Sequence, residues 1–260
     1  MSTAPSGSRI GAEDVAALAC FGPYFTVDTH VAGSAVRLAW RPMTPLSDEP
    51  EVLRARVAAV RAALAAAAGR AAADIEWRVA ASVTQLGLSA RLLSPVLGLA
   101  VVSRRVLELD FAVLRWQPEI GGAFPQSIEV KEGPSASRNA HPAPTAGELA
   151  RSIVRAAVEG PVPTMLRTLS QTYALSPIVA WGNVASALNG AATVLATTRP
   201  ELTNRAYGLV SAALAELPFH DTAHMPGPSY RRRSCCLIYR IGTGQRADTC
   251  RDCVLAHATD

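Results

Sequence analysis

The sequence predicts an α+β fold, with a helix-rich body, a small antiparallel sheet in its N-terminal half, a helical second half and a short C-terminal cysteine module. Three observations lead to this prediction. Of the 260 residues, 49% are apolar and only 18% are charged, which suits a substantial core and excludes wholesale disorder. Strand-like alternation falls within the first 131 residues, and helical patterns dominate the remainder. Four of the five cysteines lie between positions 235 and 253.

The N-terminal region, residues 1–132, is predicted to interleave strands with helices. Leu53, Val57 and Val60 recur at helical spacing and predict a helix over 48–68. Alternating apolar residues predict half-buried strands, of which the first two pair as a hairpin. The predicted strands cover 24–27, 35–40, 107–116 and 127–131. The remaining predicted helices cover 12–20 and 74–93, with a third, short one starting at Ser94-Pro95.

The second region, residues 145–228, is predicted to be helical and to belong to the same globular body. A loop rich in Gly, Pro, Ser and Ala, residues 133–144, separates it from the first. Thr145 and Glu148 have the spacing of a capping box and predict a helix start. Further helices are predicted over 164–173, 177–196 and 200–217.

Charge and hydropathy bear on the partners and the compartment. The net charge of +4 is mild and the basic residues are scattered, so no nucleic-acid partner is expected. The first eleven residues lack the apolar core of a signal peptide. Asn183 and Asn189 interrupt the apolar stretch 177–196, which indicates a buried helix rather than a lipid-facing one. We therefore expect a cytoplasmic protein, in which structural disulfides are disfavoured.

The cysteine module, residues 229–260, combines an adjacent pair, Cys235-Cys236, with a C-x-x-C, Cys250 to Cys253. Four thiolates suit a structural zinc ion or an iron–sulfur cluster. Adjacent side chains in extended backbone point to opposite faces, so two consecutive thiolates reach one small ion only with a contorted backbone. A [2Fe–2S] cluster is larger and accommodates a divergent pair more easily. The spacing thus favours a cluster and leaves zinc, or a redox-sensing dithiol, as alternatives.

Arginines beside the cysteines are suited to a redox site. Arg233 and Arg240 are expected near the cluster, where positive charge would stabilise its reduced state. The alternative is that the run Arg231 to Arg233 is a solvated basic face. Arg232 is the member of the run least expected to contribute.

Three further residues have ordinary roles in this interpretation. Cys20 lies on an apolar segment and is expected to be a buried free thiol. His220 and His224 have a spacing that could add nitrogen ligands to a zinc site, but four thiolates already complete one. Both histidines are therefore assigned to a proline-rich connector.

The stretch RRRSCCLIYR, residues 231–240, followed by CRDCVL, residues 250–255, resembles the C-terminal signature of ferric-siderophore reductases of the FhuF type. That signature is arginine, a small residue, Cys-Cys, an aliphatic residue, tyrosine and arginine, then C-x-x-C followed by aliphatic residues. WGNVASAL, residues 181–188, resembles a second family element, and the order of parts matches actinobacterial members. The chain departs from the pattern in a longer gap between the cysteine pairs, around 242–248, and in Arg251, which replaces a glycine.

The resemblance implies that all four clustered cysteines bind one [2Fe–2S] cluster and that Tyr239 lies close to it. It also implies an enzyme, a ferric-siderophore reductase, that gives one electron to Fe(III) in a hydroxamate-type siderophore and releases Fe(II). Hydroxamate oxygens hold Fe(III) far better than Fe(II), so reduction makes the complex labile. Family members work in the cytoplasm, often near the inner membrane face, with electrons from a ferredoxin or an NAD(P)H-dependent reductase.

Two residues of the helical region are candidates for contact with the siderophore. Trp181 and Asn183 lie in the segment that resembles the second family element, and a bowl between the two halves of the body would place them near the substrate. The alternative for Trp181 is an ordinary core position. The alternative for Asn183 is a bridge between buried backbone groups.

Overall fold

The computed structural model describes residues 10–36, 39–130, 144–160, 162–224, 227–242 and 249–257. It is 57% helical, with one four-stranded and one two-stranded sheet, which confirms the helix-rich α+β class. The α-helices are α1 (Ala12–Ala16), α2 (Pro45–Asp48), α3 (Pro50–Ala67), α4 (Trp77–Val102), α5 (Ala146–Val158), α6 (Val162–Tyr173), α7 (Pro177–Thr198) and α8 (Thr203–Leu214). The strands are β1 (Asp28–Val31), β2 (Arg41–Pro42), β3 (Arg115–Trp116), β4 (Gln126–Val130), β5 (Ala223–His224) and β6 (Arg231–Arg232).

Helices α4 and α7 pack against each other at the centre of the molecule. Both are long and apolar enough to cross a membrane by length and composition alone, but 78% and 67% of their most apolar windows are buried inside the fold. The prediction that 177–196 forms a buried helix is confirmed. Amphipathic helices α3, α5, α6 and α8 cover this pair with their apolar faces.

The predicted break at Ser94-Pro95 is wrong, because α4 continues through Pro95 to Val102. An internal proline removes one helical hydrogen bond and costs about 3 kcal/mol. Burial offsets this cost, since Leu93 and Leu97 are fully inaccessible to solvent and Val96 is 1% exposed. Tertiary packing therefore overrides the local signal.

The four-stranded sheet is mixed, which corrects the prediction of an antiparallel sheet. Its order is β1-β4-β3-β2; β1 and β4 are parallel, and the other two pairs are antiparallel. The predicted hairpin of 24–27 with 35–40 is wrong. The buried Arg91 guanidinium donates to the Tyr24 carbonyl at 2.9 Å and the Thr26 carbonyl at 2.6 Å, so this segment is held by a side chain rather than by a strand.

Of the other two predicted strands, one is confirmed and one forms only in part. The strand over 127–131 is confirmed as β4. Of the strand over 107–116 only β3 forms, because the backbone turns at Asp110: its carboxylate accepts from Ala112 N at 2.8 Å, and its carbonyl accepts from Leu114 N at 3.0 Å.

The helices of the second region are confirmed, with small shifts of their ends. Thr145 and Glu148 form the predicted capping box, in which Thr145 N donates to Glu148 Oε2 at 2.7 Å and Glu148 N donates to Thr145 Oγ1 at 3.2 Å. The last helix ends at Leu214 rather than 217. Most of the predicted loop 133–144, including His141, lies outside the described residues.

One hydrophobic core runs through both regions, from Val15 near the N-terminus to Tyr230 at the start of the cysteine module. The module is anchored to this core by the β5–β6 hairpin and rests on α7 and on the first half of α4. Gly182 of α7 permits the close approach, because a Cβ there would collide with Ser234 Oγ and lie 3.2 Å from Arg232 Nη2.

Candidate metal centre

The β5–β6 hairpin carries the chain directly into the first cysteine pair. Arg232 of β6 donates its backbone N–H to the Asp252 carbonyl at 3.1 Å, which brings the second cysteine segment beside the first. Within that segment Cys253 N donates to the Cys250 carbonyl at 3.1 Å and closes a turn. The two cysteine segments are thus held side by side by a backbone hydrogen bond.

The thiols gather around Cys236. Cys235 and Cys250 are the side chains that act most strongly on the Cys236 thiol, and the charge of Cys253 acts on both of them. Interaction with these two thiols, with the Ile238 N–H, lowers the pKa of Cys236 far below its ordinary value. The same interactions raise the pKa of Cys235 and of Cys250, and burial adds to both shifts.

Two of the four sulfurs accept a backbone N–H from the residue two positions later. Leu237 N lies 3.3 Å from Cys235 Sγ, and Leu255 N lies 3.3 Å from Cys253 Sγ. The Ile238 N–H acts on Cys236 in the same sense and lowers its pKa. Leu237 adopts the left-handed conformation, with φ 70°, which turns the N–H groups that follow the Cys235-Cys236 pair toward one side. Such N–H···S bonds favour the thiolate over the thiol, the form that binds metals.

The four thiols do not form a preformed metal site. In the described part of the chain, no group of three or more His, Cys, Asp or Glu side chains has the arrangement of such a site. The interactions of Cys236 with Cys235 and Cys250 indicate which sulfurs are neighbours. Binding of an ion or a cluster would draw the sulfurs around the metal and release the thiol protons.

Arg232 is the arginine beside the thiols. Its side chain is 1% exposed, and its positive charge contributes to the lowered pKa of Cys236 and opposes the rise in the pKa of Cys250. The guanidinium donates to Asn183 Oδ1 at 2.6 Å, and its Nε donates to the Ser234 carbonyl at 3.0 Å. Burial of an arginine is costly unless its guanidinium is hydrogen-bonded, and here Asn183 and the Ser234 carbonyl provide the acceptors.

Arg233 and Arg240, which were predicted to lie near the cluster, both pair with carboxylates at the surface. Arg233 is exposed and pairs with Asp221 at 3.4 Å. Arg240 is exposed and donates through Nη1 to both carboxylate oxygens of Glu76, at 2.8 and 2.9 Å. Strand alternation explains the difference, because in β6 the middle member of the arginine run faces inward while its neighbours face outward.

Tyr239 and Arg251 are both at least partly exposed to solvent. Tyr239 is half-buried, and its hydroxyl accepts from Arg240 Nε at 3.4 Å. Arg251, between the cysteines of the C-x-x-C, is exposed. The longer gap between the cysteine pairs lies largely outside the described residues, since 243–248 are not among them.

Two buried hydrogen-bond donors near the thiols have no partner among the described residues. They are Arg232 Nη1 and the Tyr230 hydroxyl. Tyr230 is 2% exposed; burial raises its pKa, and the charges of Arg232, Asp252 and Cys250 act on it. Buried donors without acceptors are rare, and here both lie beside the sulfurs.

The polar face of α7 attaches the module. Asn183 is completely buried and its Nδ2 donates to Ser82 Oγ at 3.0 Å, while Ser82 Oγ donates to the Cys236 carbonyl at 2.8 Å. One and two turns further along, Ser186 bonds to the Asp252 carboxylate and Asn189 exchanges two hydrogen bonds with the Gly227 backbone. The amide of Asn183 is therefore used inside the protein, as a bridge between buried groups.

The remaining candidates lie apart from the thiols. Trp181 is partly buried, and its ring meets Phe219 edge-on at 5.5 Å. Cys20 is exposed, which corrects the expectation of burial, and its thiol donates to the Ala17 carbonyl. His220 pairs with Asp221 at 2.7 Å, and His224 lies in β5 opposite Arg231.

No protein-family model and no curated protein matches this chain.

Proposed function

We propose that the chain binds one [2Fe–2S] cluster through Cys235, Cys236, Cys250 and Cys253 and acts as a ferric-siderophore reductase. The observation that carries the proposal is the gathering of the two cysteine pairs, in each of which one sulfur accepts a backbone N–H from the residue two positions later. Amides directed at sulfur stabilise thiolate ligands and help to set the potential of an iron–sulfur site.

The two unpartnered donors favour a cluster over zinc. A zinc ion held by four thiolates adds no acceptor beyond those thiolates, whereas a [2Fe–2S] core also has two inorganic sulfides. Arg232 Nη1 and the Tyr230 hydroxyl are buried beside the thiols and free to donate to such sulfides. When bound, the cluster would supply a one-electron couple that takes an electron from a donor protein and gives it to Fe(III).

The residues of the chain have distinct tasks in this function. Arg232 supplies a fixed positive charge, which favours the more negative, reduced state of the site. Asn183 and Ser234 hold its guanidinium in place. The α7 contacts keep the module, and with it the electron-transfer site, against the body.

The substrate in this proposal is Fe(III) held in a hydroxamate-type siderophore. It gains one electron and leaves as labile Fe(II), because hydroxamate oxygens bind the ferrous ion weakly. The electron donor is a ferredoxin or an NAD(P)H-dependent reductase, and the site of action is the cytoplasm or the inner face of the membrane.

A structural zinc site is the second candidate. The same N–H···S bonds would stabilise zinc-bound thiolates. The hydrogen bonds between α7 and the module would suit a C-terminal segment that a structural zinc ion holds against the body. It predicts that chelation loosens the module and that no ferric substrate is reduced.

The two candidates are separated by mixing chemically reduced protein, freed of excess reductant, with a ferric trihydroxamate under anaerobic conditions. The proposal predicts release of up to one Fe(II) per cluster, trapped by a ferrous-specific chelator. Absence of ferrous iron above the level without protein would exclude reductase activity. A redox sensor, in which the cluster is retained without substrate reduction, would give that same negative result with an intact cluster spectrum.

A further inference from the structure

An open cavity of about 990 Å³ lies beside the cysteine module, between α3, the start of α4 and the end of α6. We call it the aromatic shelf, after Trp77 and Tyr173 in its wall. Their rings stack at 5.9 Å with an interplanar angle of 17°, and Trp77 is 44% exposed. A large exposed aromatic residue held in a fixed stack is a typical feature of a recognition site.

Trp77 is also held in place by the half-buried Arg61. The Arg61 guanidinium lies 4.3 Å from its ring centre. Arg61 is fixed in turn by donating to the Ile75 carbonyl at 2.6 Å and the Ala73 carbonyl at 3.1 Å. A preorganised ring costs little entropy when a ligand binds.

The free charge of the shelf is positive. The wall contains one acidic residue, Glu76, which forms an ion pair with Arg240 at 2.8 Å. The negative charge of Glu76 is therefore already balanced. Arg78 is 3.9 Å from Glu76, and Arg54 is 4.0 Å from Glu51, both distances too long for hydrogen bonds. Two weakly paired guanidinium groups therefore flank the exposed ring.

The shelf is connected to the thiols through α4 and through Glu76. Arg240, the partner of Glu76, lies four residues after Cys236. Ser82, which donates to the Cys236 carbonyl, is five residues beyond Trp77, a rise of about 7.5 Å along the helix. A ligand on the shelf would therefore lie against the same helix end that supports the cysteines.

We propose that the aromatic shelf binds a ferric chelate of net negative charge, such as a hydroxamate siderophore that also carries free carboxylates. The inference rests on the proposed reductase function, and it adds the place and the charge of the substrate. Arg54 and Arg78 would attract the carboxylates, and Trp77 would contact the apolar arms of the ligand.

The test uses gallium(III), which has the charge of Fe(III) but is not reduced, so binding is measured separately from electron transfer. Full-length protein is titrated calorimetrically with the gallium complex of a citrate-based dihydroxamate, which is anionic, and with that of a neutral trihydroxamate. The variants are Trp77→Ala and the double variant Arg54→Glu/Arg78→Glu. Arg155→Glu is the matched control, because its side chain is 47% exposed, against 51% for Arg54 and 43% for Arg78.

We expect the double variant to bind the anionic complex about tenfold or more weakly and Arg155→Glu to bind it within about twofold of the unaltered protein. Trp77→Ala is expected to lose about fivefold in affinity for the anionic complex. Affinity unchanged in the double variant or in Trp77→Ala, equal affinity for the neutral and anionic complexes, or no binding at all would overturn the proposal.

Ferrous release from the iron complexes, measured on the same proteins, keeps the two proposals apart. Release that persists while the variants bind normally refutes the shelf and leaves the reductase function intact. Charge-selective binding that the double variant loses, without ferrous release from the unaltered protein, refutes the reductase function and leaves the shelf as an anion site.

Discussion

Asn183 Oδ1 accepts a hydrogen bond from Arg232 Nη2 at 2.6 Å, and both side chains are buried. The bond joins the central helix α7 to the strand that leads into the cysteines. A buried guanidinium is thereby fixed next to Cys236 and Cys250, and its position depends on the packing of a helix 49 residues away in sequence. This contact is the connection between the core and the candidate site.

Replacing Arg232 with alanine should destabilise the protein by about 3 kcal/mol, because the Asn183 and Ser234 oxygens would lose a charged donor in a buried place. Arg233→Ala is the matched control and should change the free energy of unfolding by no more than about 0.5 kcal/mol, since its ion pair with Asp221 is exposed. Urea unfolding followed by circular dichroism measures both. Similar values for the two variants would contradict the assignment of Arg232.

Gly182 and Gly190 provide a test of how closely the module packs on α7. A methyl group at position 182 would collide with Ser234 Oγ, so Gly182→Ala should destabilise by about 1–3 kcal/mol. At position 190 nothing lies within 4 Å of the added Cβ, so Gly190→Ala should be neutral or stabilising by up to about 1 kcal/mol. Thermal unfolding of both variants is the measurement, and a stable Gly182→Ala would argue against the docked arrangement.

Serine in place of any one of Cys235, Cys236, Cys250 or Cys253 should strongly reduce cluster occupancy, because the alkoxide is a poorer ligand for iron than the thiolate. Cys20→Ser is the control and should leave occupancy unchanged, since Cys20 is exposed and apart from the other four. Iron content and visible absorption of anaerobically purified variants give the answer. A normal cluster in Cys236→Ser would remove the vicinal pair from the ligand set.

His30 should make stability depend on pH. Burial, with the nearby Arg115, lowers the pKa of His30 from 6.5, while the Val113 carbonyl and Glu129 act in the opposite direction. The folded state therefore holds its imidazole neutral where the unfolded state still protonates it. This contribution to stability is complete above about pH 6.5 and is lost as the pH falls through the window down to the folded pKa.

The pH effect can be checked by an NMR titration of His30 together with unfolding at two pH values on either side of the window. Arg115→Gln removes the positive charge that acts on His30 and should bring its pKa back toward 6.5. His30→Gln should abolish this part of the pH dependence. A folded pKa at or above 6.5 in the unaltered protein would contradict the prediction.

Local signals in the sequence predicted the elements that depend on neighbouring residues. The capping box at Thr145 and Glu148 is complete within four residues, and the structure confirms it. Asn183 and Asn189 were also visible as polar interruptions of an apolar stretch, although their role in holding the cysteine module was not. That role depends on a hairpin more than thirty residues later in the chain.

Other features depended on contacts between distant segments. The parallel pairing of β1 with β4 joins residues about a hundred positions apart, and neither strand carries a signal for its partner. Residue type does not distinguish the three consecutive arginines from one another. The burial of Arg232 therefore follows only from strand alternation combined with the position of Asn183. The signal available in the sequence was the position of Arg232, which is the middle residue of a charged run at the start of a strand.

The central claim is most directly tested by the iron and acid-labile sulfide content of the anaerobically purified protein, with its EPR spectrum after reduction. The account predicts two irons and two sulfides per chain and, on one-electron reduction, a signal from a single unpaired spin. A colourless protein that carries stoichiometric zinc, and that takes up no cluster on reconstitution, would contradict it.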